Sequence, residues 1–178
     1  DIIFADPVGS CTDLSATIMQ PVKEKYSDSL NLKQLTVLAD PTRLKAVLKD
    51  HSNRGDYIIY KQFEEADVIL INKVELLSEK ELAELVEATK KEFNNENVLT
   101  TSVKTGEGLD EWFNQIITSE KEVGRKIVEV DYDTYADGEA LFGWLNGTYS
   151  VEKEQNFEEL ATAFLANLAQ RFDSENLN

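Results

Sequence analysis

The chain has 178 residues, 42% of them hydrophobic, with 18 basic and 34 acidic side chains and a formal net charge of −16. That length suits one ordinary domain, or one domain with a small appendage, and a chain of this size buries roughly 70% of its unfolded surface without needing staples. So acidic a surface repels nucleic acid and anionic lipid, which makes both poor partners, but it leaves room for a single nucleotide met by local amides and Mg²⁺.

Taken in chain order, four β-rich runs each end in a polar residue: 2–5 before Asp6, 35–39 before Asp40, 68–71 before Asn72, and 98–101 before Ser102. Apolar runs without alternation predict strands buried on both faces, as in a parallel sheet. Between them, Leu14, Ile18, Met19, Val22 and Tyr26 recur at helical spacing, as do Leu82, Leu85, Val86, Thr89 and Phe93. Ser78 and Glu81 form a capping-box pattern at the start of the second of these helices. Asp40, just before Pro41, reads as another helix cap. Alternating strands and helices predict an α/β fold, whose ligands bind beyond the carboxyl ends of the strands. Asp6, Asp40, Asn72 and Ser102 all stand at such ends.

The texture changes after Thr118. Residues 119–126 are charged, carry Gly124 and read as a linker. Residues 126–133 alternate like a half-exposed strand, 139–146 read as a short helix, and 147–152 as a return strand. Phe157, Leu160, Phe164, Leu165, Leu168 and Phe172 mark an amphipathic helix expected to pack on that local sheet. The division expected is therefore 1–118, a linker at 119–126, and a small α+β domain at 127–178.

Cys11 is the single cysteine, so no intrachain disulfide can form and a reducing cytoplasm is the simplest compartment. No apolar run approaches the roughly 18 residues of a membrane span, and no signal peptide is visible. His51 stands alone in a polar stretch. Residues 131–139 fail the frame of a calcium-binding loop, with Ala136 where glycine belongs, and read as a solvated acidic turn.

The residues with the most chemistry are Asn72, Lys73 and Glu75. A carboxylate can accept from both N1–H and the exocyclic amine of guanine, a donor pair that adenine lacks. Two charge-assisted hydrogen bonds discriminate by on the order of a hundredfold. Lys73 can lay its stem along the base, and Asn72 can tie neighbouring loops. Thirty positions later, Ser102, Val103 and Lys104 follow a strand, with amides suited to the guanine carbonyl oxygen, and Gly106 and Gly108 permit a tight turn before a helix opens at Leu109.

These two stretches resemble the base-reading NKxD and SAK motifs of the G-protein superfamily. Residues 4–14 resemble its strand-end DxxG motif, with Asp6 and Gly9 in the matching places. The Gly-Ser-Cys-Thr-Asp continuation (9–13) and residues 35–44 resemble the metal-chaperone GTPases typified by CobW, HypB and UreG, and the region beyond 125 resembles the extra C-terminal domain of CobW-like members. Asp6 stands where most of that family has Glu, and Glu75 where the base motif usually has Asp. The resemblance implies a mostly parallel P-loop-NTPase-type sheet flanked by helices and lacking its N-terminal part. It further implies binding and hydrolysis of GTP, with Asp6 near the Mg²⁺ shell and Gly9 near the γ-phosphate as the catalytic pair, and delivery of a metal such as Zn²⁺, or assembly of a cobalamin-related metallocofactor, on a metalloprotein client. Cys11 is a candidate metal ligand by the same resemblance, and a second copy of the chain a candidate partner.

No Gly-x-x-x-x-Gly-Lys-Ser/Thr occurs anywhere in the sequence. The chain is therefore expected to be the C-terminal portion of a longer GTPase, inactive by itself. Two other readings stand beside this one: a non-catalytic acidic interaction module with a vestigial nucleotide site, and an ATP-using enzyme in which Glu75 only caps a turn.

Overall fold

The computed structural model describes residues 2–142, 148, 150, 151 and 156–174. They divide into two compact units, 1–143 and 144–178.

The first unit is built on a parallel sheet of β1 (Thr36–Ala39), β2 (Val68–Ile71) and β3 (Val98–Thr100), in that spatial order. All four residues of β2 are buried, as a central strand covered on both faces must be. Successive side chains point to opposite faces, so Ile69 and Ile71 enter the main core while Val68 and Leu70 face the other side. Helices α2 (Pro41–Lys49), α3 (Arg54–Glu65) and α4 (Glu79–Phe93) close that core with Leu44, Val47, Phe63, Leu85 and Phe93. Apolar burial of this kind contributes about 25 cal/mol per Å², the main favourable term holding the sheet to its helices.

The helix starts follow the sequence. The Asp40 side chain accepts from the amides of Thr42 and Arg43, with Pro41 as the first helical residue. Ser78 and Glu81 make the reciprocal bonds of the capping box. The apolar series from Leu14 to Tyr26 forms a π-helical turn, Ser15–Met19, that runs into α1 (Gln20–Tyr26), and Leu109–Thr118 is α5.

Three expectations are corrected. Residues 2–5 form no strand: Ile2, Ile3 and Phe4 are exposed, although the Phe4 ring lies 5.9 Å from that of Phe113. A strand needs a neighbour for its backbone groups, and among the described residues none pairs with this run. Residues 126–131 also carry no strand. The acidic stretch after them is not a turn but α6 (Tyr132–Glu139), because the Asp131 side chain accepts from the amides of Asp133 and Thr134 and so caps it.

Residues 119–126 are fastened to the sheet unit. Asp67 Oδ2 accepts from both Gly124 N, at 2.9 Å, and Leu35 N, at 3.0 Å, while Gln20 donates to the Gly124 carbonyl and Lys23 to that of Val123. Beyond them, the Arg54–Asp137 ion pair and a hydrogen bond from Asp131 N to the Tyr57 hydroxyl join α6 to α3.

In the second unit, α7 (Phe157–Ser174) forms where the amphipathic pattern predicts it. The sheet expected beneath it is not seen among the described residues, and Phe157, Leu165 and Phe172 are exposed. The short helix and return strand expected over 139–152 lie largely outside the described residues. No described helix is long and apolar enough to cross a membrane.

Candidate functional site

The parallel ladder continues past the strand ends and brings three loops together. Asn72 N donates to the Ala39 carbonyl (2.9 Å), Thr101 N to that of Ile71 (2.7 Å), and Val74 N to that of Thr101 (3.3 Å). The loops after β1, β2 and β3 therefore share one edge of the sheet. Asn72, half-buried, accepts from Val103 N on its Oδ1 at 3.0 Å. That bond ties the loop after β2 to the loop after β3.

Lys73 adopts a left-handed conformation, φ 59° and ψ 35°, unusual for a side chain of its kind. Its ammonium lies 2.8 Å from Asp40 Oδ2, so Asp40 serves both as the cap of α2 and as the anchor of Lys73. Each partner favours the other's charge: Lys73 holds the Asp40 carboxyl below its ordinary range, and Asp40 raises the Lys73 ammonium.

Glu75 is the middle residue of a single 3₁₀ turn, Val74–Leu76, and is exposed. The Ser102 hydroxyl, by hydrogen bonding, is the chief cause that lowers its pKa, and Lys104 and Lys73 act in the same direction. At neutral pH Glu75 is thus a solvent-facing anion with acceptor capacity to spare. Ser102 itself is fully buried; its amide donates to the Glu107 carbonyl at 2.9 Å, and its hydroxyl accepts from Thr105 N at 3.2 Å. The structure thus brings Asn72, Lys73, Glu75, Ser102 and Val103 together, with Lys104 on the same loop.

Asp6 and Gly9 lie outside any helix or strand and are exposed. Gly9 is held by its carbonyl, which accepts from Gln62 Nε2 at 2.9 Å. Among the described residues no three His, Cys, Asp or Glu stand close enough to hold a metal ion. Cys11 is half-buried; its amide donates to the Val8 carbonyl and its own carbonyl accepts from Gln62. His51 stacks on Tyr60 with centroids 3.9 Å apart, a packing role.

Sequence reasoning missed Glu65, at 1% exposure among the most buried side chains of the chain. Its carboxylate accepts from Ser15 N (3.1 Å) and Thr12 Oγ1 (3.2 Å) and caps the helix that follows loop 9–15 from fifty residues away. A signal was present: Gly55, Ile58, Gln62 and Glu65 share one face of α3 at helical spacing, so an acid stands on an inward stripe. Burial is the main cause that raises its pKa above the ordinary 4.5. A raised acid contributes most stability below its unfolded value and loses it as pH rises through the folded one. The thermal stability of the wild type relative to Glu65→Gln is therefore expected to be greatest near pH 4 and to shrink towards pH 7, in melting curves recorded across that range. A difference that grows with pH would contradict the burial argument.

Residues 1–100 match the family described as CobW/HypB/UreG, nucleotide-binding domain, a span that takes in Asp6, Gly9 and the Asn72–Glu75 corner and ends just before Ser102. No curated protein and no solved structure matches the chain. The match covers more than half of the chain, and the parallel sheet with its loops converging at the carboxyl edge is the architecture expected of a P-loop-NTPase-type domain. The chain belongs to the CobW/HypB/UreG nucleotide-binding family.

Proposed function

We propose that this chain carries the guanine-reading part of a GTP-binding and GTP-hydrolysing metallochaperone-like protein. The observation that carries this reading is the Glu75 carboxylate, kept anionic beside Ser102, on a corner locked to the Val103 loop by Asn72. Glu75 would accept from guanine N1–H and the exocyclic amine, and Lys73 would cover the base. Because the amides of Ser102 and Val103 are engaged within the protein, Lys104 N is the donor assigned to the guanine carbonyl oxygen.

Asp6 and Gly9 are assigned to the phosphate end by family resemblance. Mg²⁺ bound with a nucleotide takes one or two carboxylates besides phosphate oxygens and water, and the exposed Asp6 fits that donor set. When bound, the ion would neutralise phosphate charge. The outer edge of β1 pairs with no strand among the described residues, and a strand carrying a phosphate-cradling loop would complete the site there. Metal delivery or metallocofactor assembly, a metalloprotein client, a homodimer and a cytoplasmic setting belong to the same proposal. The accessory region, proposed to begin near residue 127, places its first helix α6 against α3 of the unit that holds the base corner.

The test is a calorimetric titration of GDP and of ADP, each with Mg²⁺, into the protein. Heat from GDP with little from ADP is the expected result. Equal binding of both would transfer the reading to a general purine site, and binding of neither would favour the acidic interaction module.

A further inference from the structure

Loop 9–15 is fastened from two sides. On one side, α3 supplies Gln62, whose Nε2 donates to the carbonyls of Gly9 and Cys11 at 2.9 and 2.8 Å, and Glu65, which caps the helix beginning at Ser15. On the other side, α6 supplies Tyr132, whose hydroxyl donates to Asp13 Oδ2 at 2.6 Å, while the Tyr135 hydroxyl shares its one proton between Glu139 Oε1 on its own helix, at 3.2 Å, and the Ser10 carbonyl, at 3.3 Å. The two helices are themselves in close contact. A Cβ on Gly138 would lie 2.5 Å from the Arg54 carbonyl oxygen and 2.8 Å from Ile58 Cδ1, so only glycine lets α6 approach this near.

The held loop also carries costs. Asp13 sits at φ 59°, a left-handed conformation, and the buried Ser15 hydroxyl finds no partner among the described residues. Strain of this kind persists only where the surroundings hold it, and it concentrates at switch regions and ligand clamps. The Tyr135 hydroxyl is pushed up to about 12, mainly by burial, so it remains a neutral donor at physiological pH.

We propose that Gln62, Glu65 and Tyr132 are positioning residues that latch loop 9–15 between α3 and α6, so that phosphate engaged at Gly9 is reported to α6 through the Asp13–Tyr132 bond. This rests on the assignment of Gly9 to the phosphate end. These contacts make the loop a shared part of both helices, so that a displacement of Gly9 is passed on to Asp13, four residues further along. The readout element is then α6, the first helix of the region proposed as accessory.

The experiment is amide hydrogen exchange on the full chain, alone and with Mg²⁺ plus either GDP or a non-hydrolysable GTP analogue, for wild type and Tyr132→Phe. Tyr132 is exposed, so its loss of one hydroxyl leaves the core untouched. In the wild type, the GTP analogue should alter exchange both in residues 10–17 and in 131–139, and GDP should do so less. In Tyr132→Phe, exchange of loop 10–15 without nucleotide should rise about tenfold, as fits loss of a hydrogen bond to a charged group. The response in 131–139 should vanish while guanine is still preferred to adenine. Guanine preference with no response in 131–139, or a response unchanged by Tyr132→Phe, would overturn the latch and leave the base site standing. Binding of neither guanine nucleotide would sink the base-site reading, and the latch with it.

Discussion

Glu75→Ala is expected to remove the preference for guanine over adenine, lowering GDP affinity by on the order of a hundredfold while leaving ADP affinity nearly unchanged. The reason lies in the donor pattern: guanine offers N1–H and an amine side by side where adenine does not, and Glu75 is an exposed acceptor-only anion, whereas the Asp40 carboxylate is taken up by Lys73 and the amides of Thr42 and Arg43. The substitution should leave the fold intact, since the side chain is exposed and Val74, not Glu75, is the buried residue of that turn. Titration of GDP and ADP into the variant, with a melting curve as a control, reads both expectations. Parallel loss of both nucleotides would mean that Glu75 shapes the loop instead of reading a base. Glu75→Asp, restoring the residue usual in the base motif, should keep the preference.

Gly108→Ala is expected to be the most damaging single change near the site. Gly108 sits at φ 74°, and a Cβ there would collide with the Thr100 carbonyl oxygen at the end of β3. A left-handed alanine costs roughly 1–2 kcal/mol, and displacing packed backbone a further 1–3. A loss of about 3 kcal/mol in chemical denaturation is the expected outcome. The strain falls on the turn that holds Ser102, where Thr101 Oγ1 and Ser102 N both donate to the Glu107 carbonyl. Guanine binding should therefore fall along with stability, whereas Gly106→Ala, at a positive φ but with open space around it, should cost less. Equal costs at the two positions would remove the collision as the cause.

The contrast between these two residues shows what kinds of information a sequence carries. Glu75 stood out because an acid follows an apolar run and an Asn-Lys pair, a pattern local in sequence. β2, the capping box at Ser78 and the cap at Asp40 were legible for the same reason: each depends on neighbours within four residues. The run at 2–5 looked as much like a strand as β2 does, yet forms none, because a strand also requires a partner and local pattern does not supply one. Residues 131–139 failed in the opposite direction. An acidic, glycine-bearing stretch with low helix propensity becomes α6 because Asp131 caps it and α3 receives Gly138.

The α/β class and the family were legible without coordinates, as were the acidity of the chain and the Asn-Lys-Val-Glu run that follows β2. Periodicity, capping and motif spacing are all short-range properties of the chain, so they survive without coordinates. It took the folded chain to bring Asn72 onto Val103, Asp40 onto Lys73, Glu65 onto a helix fifty residues before it, and Tyr132 onto Asp13. Each of these joins groups more than thirty residues apart. Such contacts exist only once the sheet has set its order and the helices their approach, since burial and a hydrogen-bond partner at 3 Å are properties of packing and not of sequence distance.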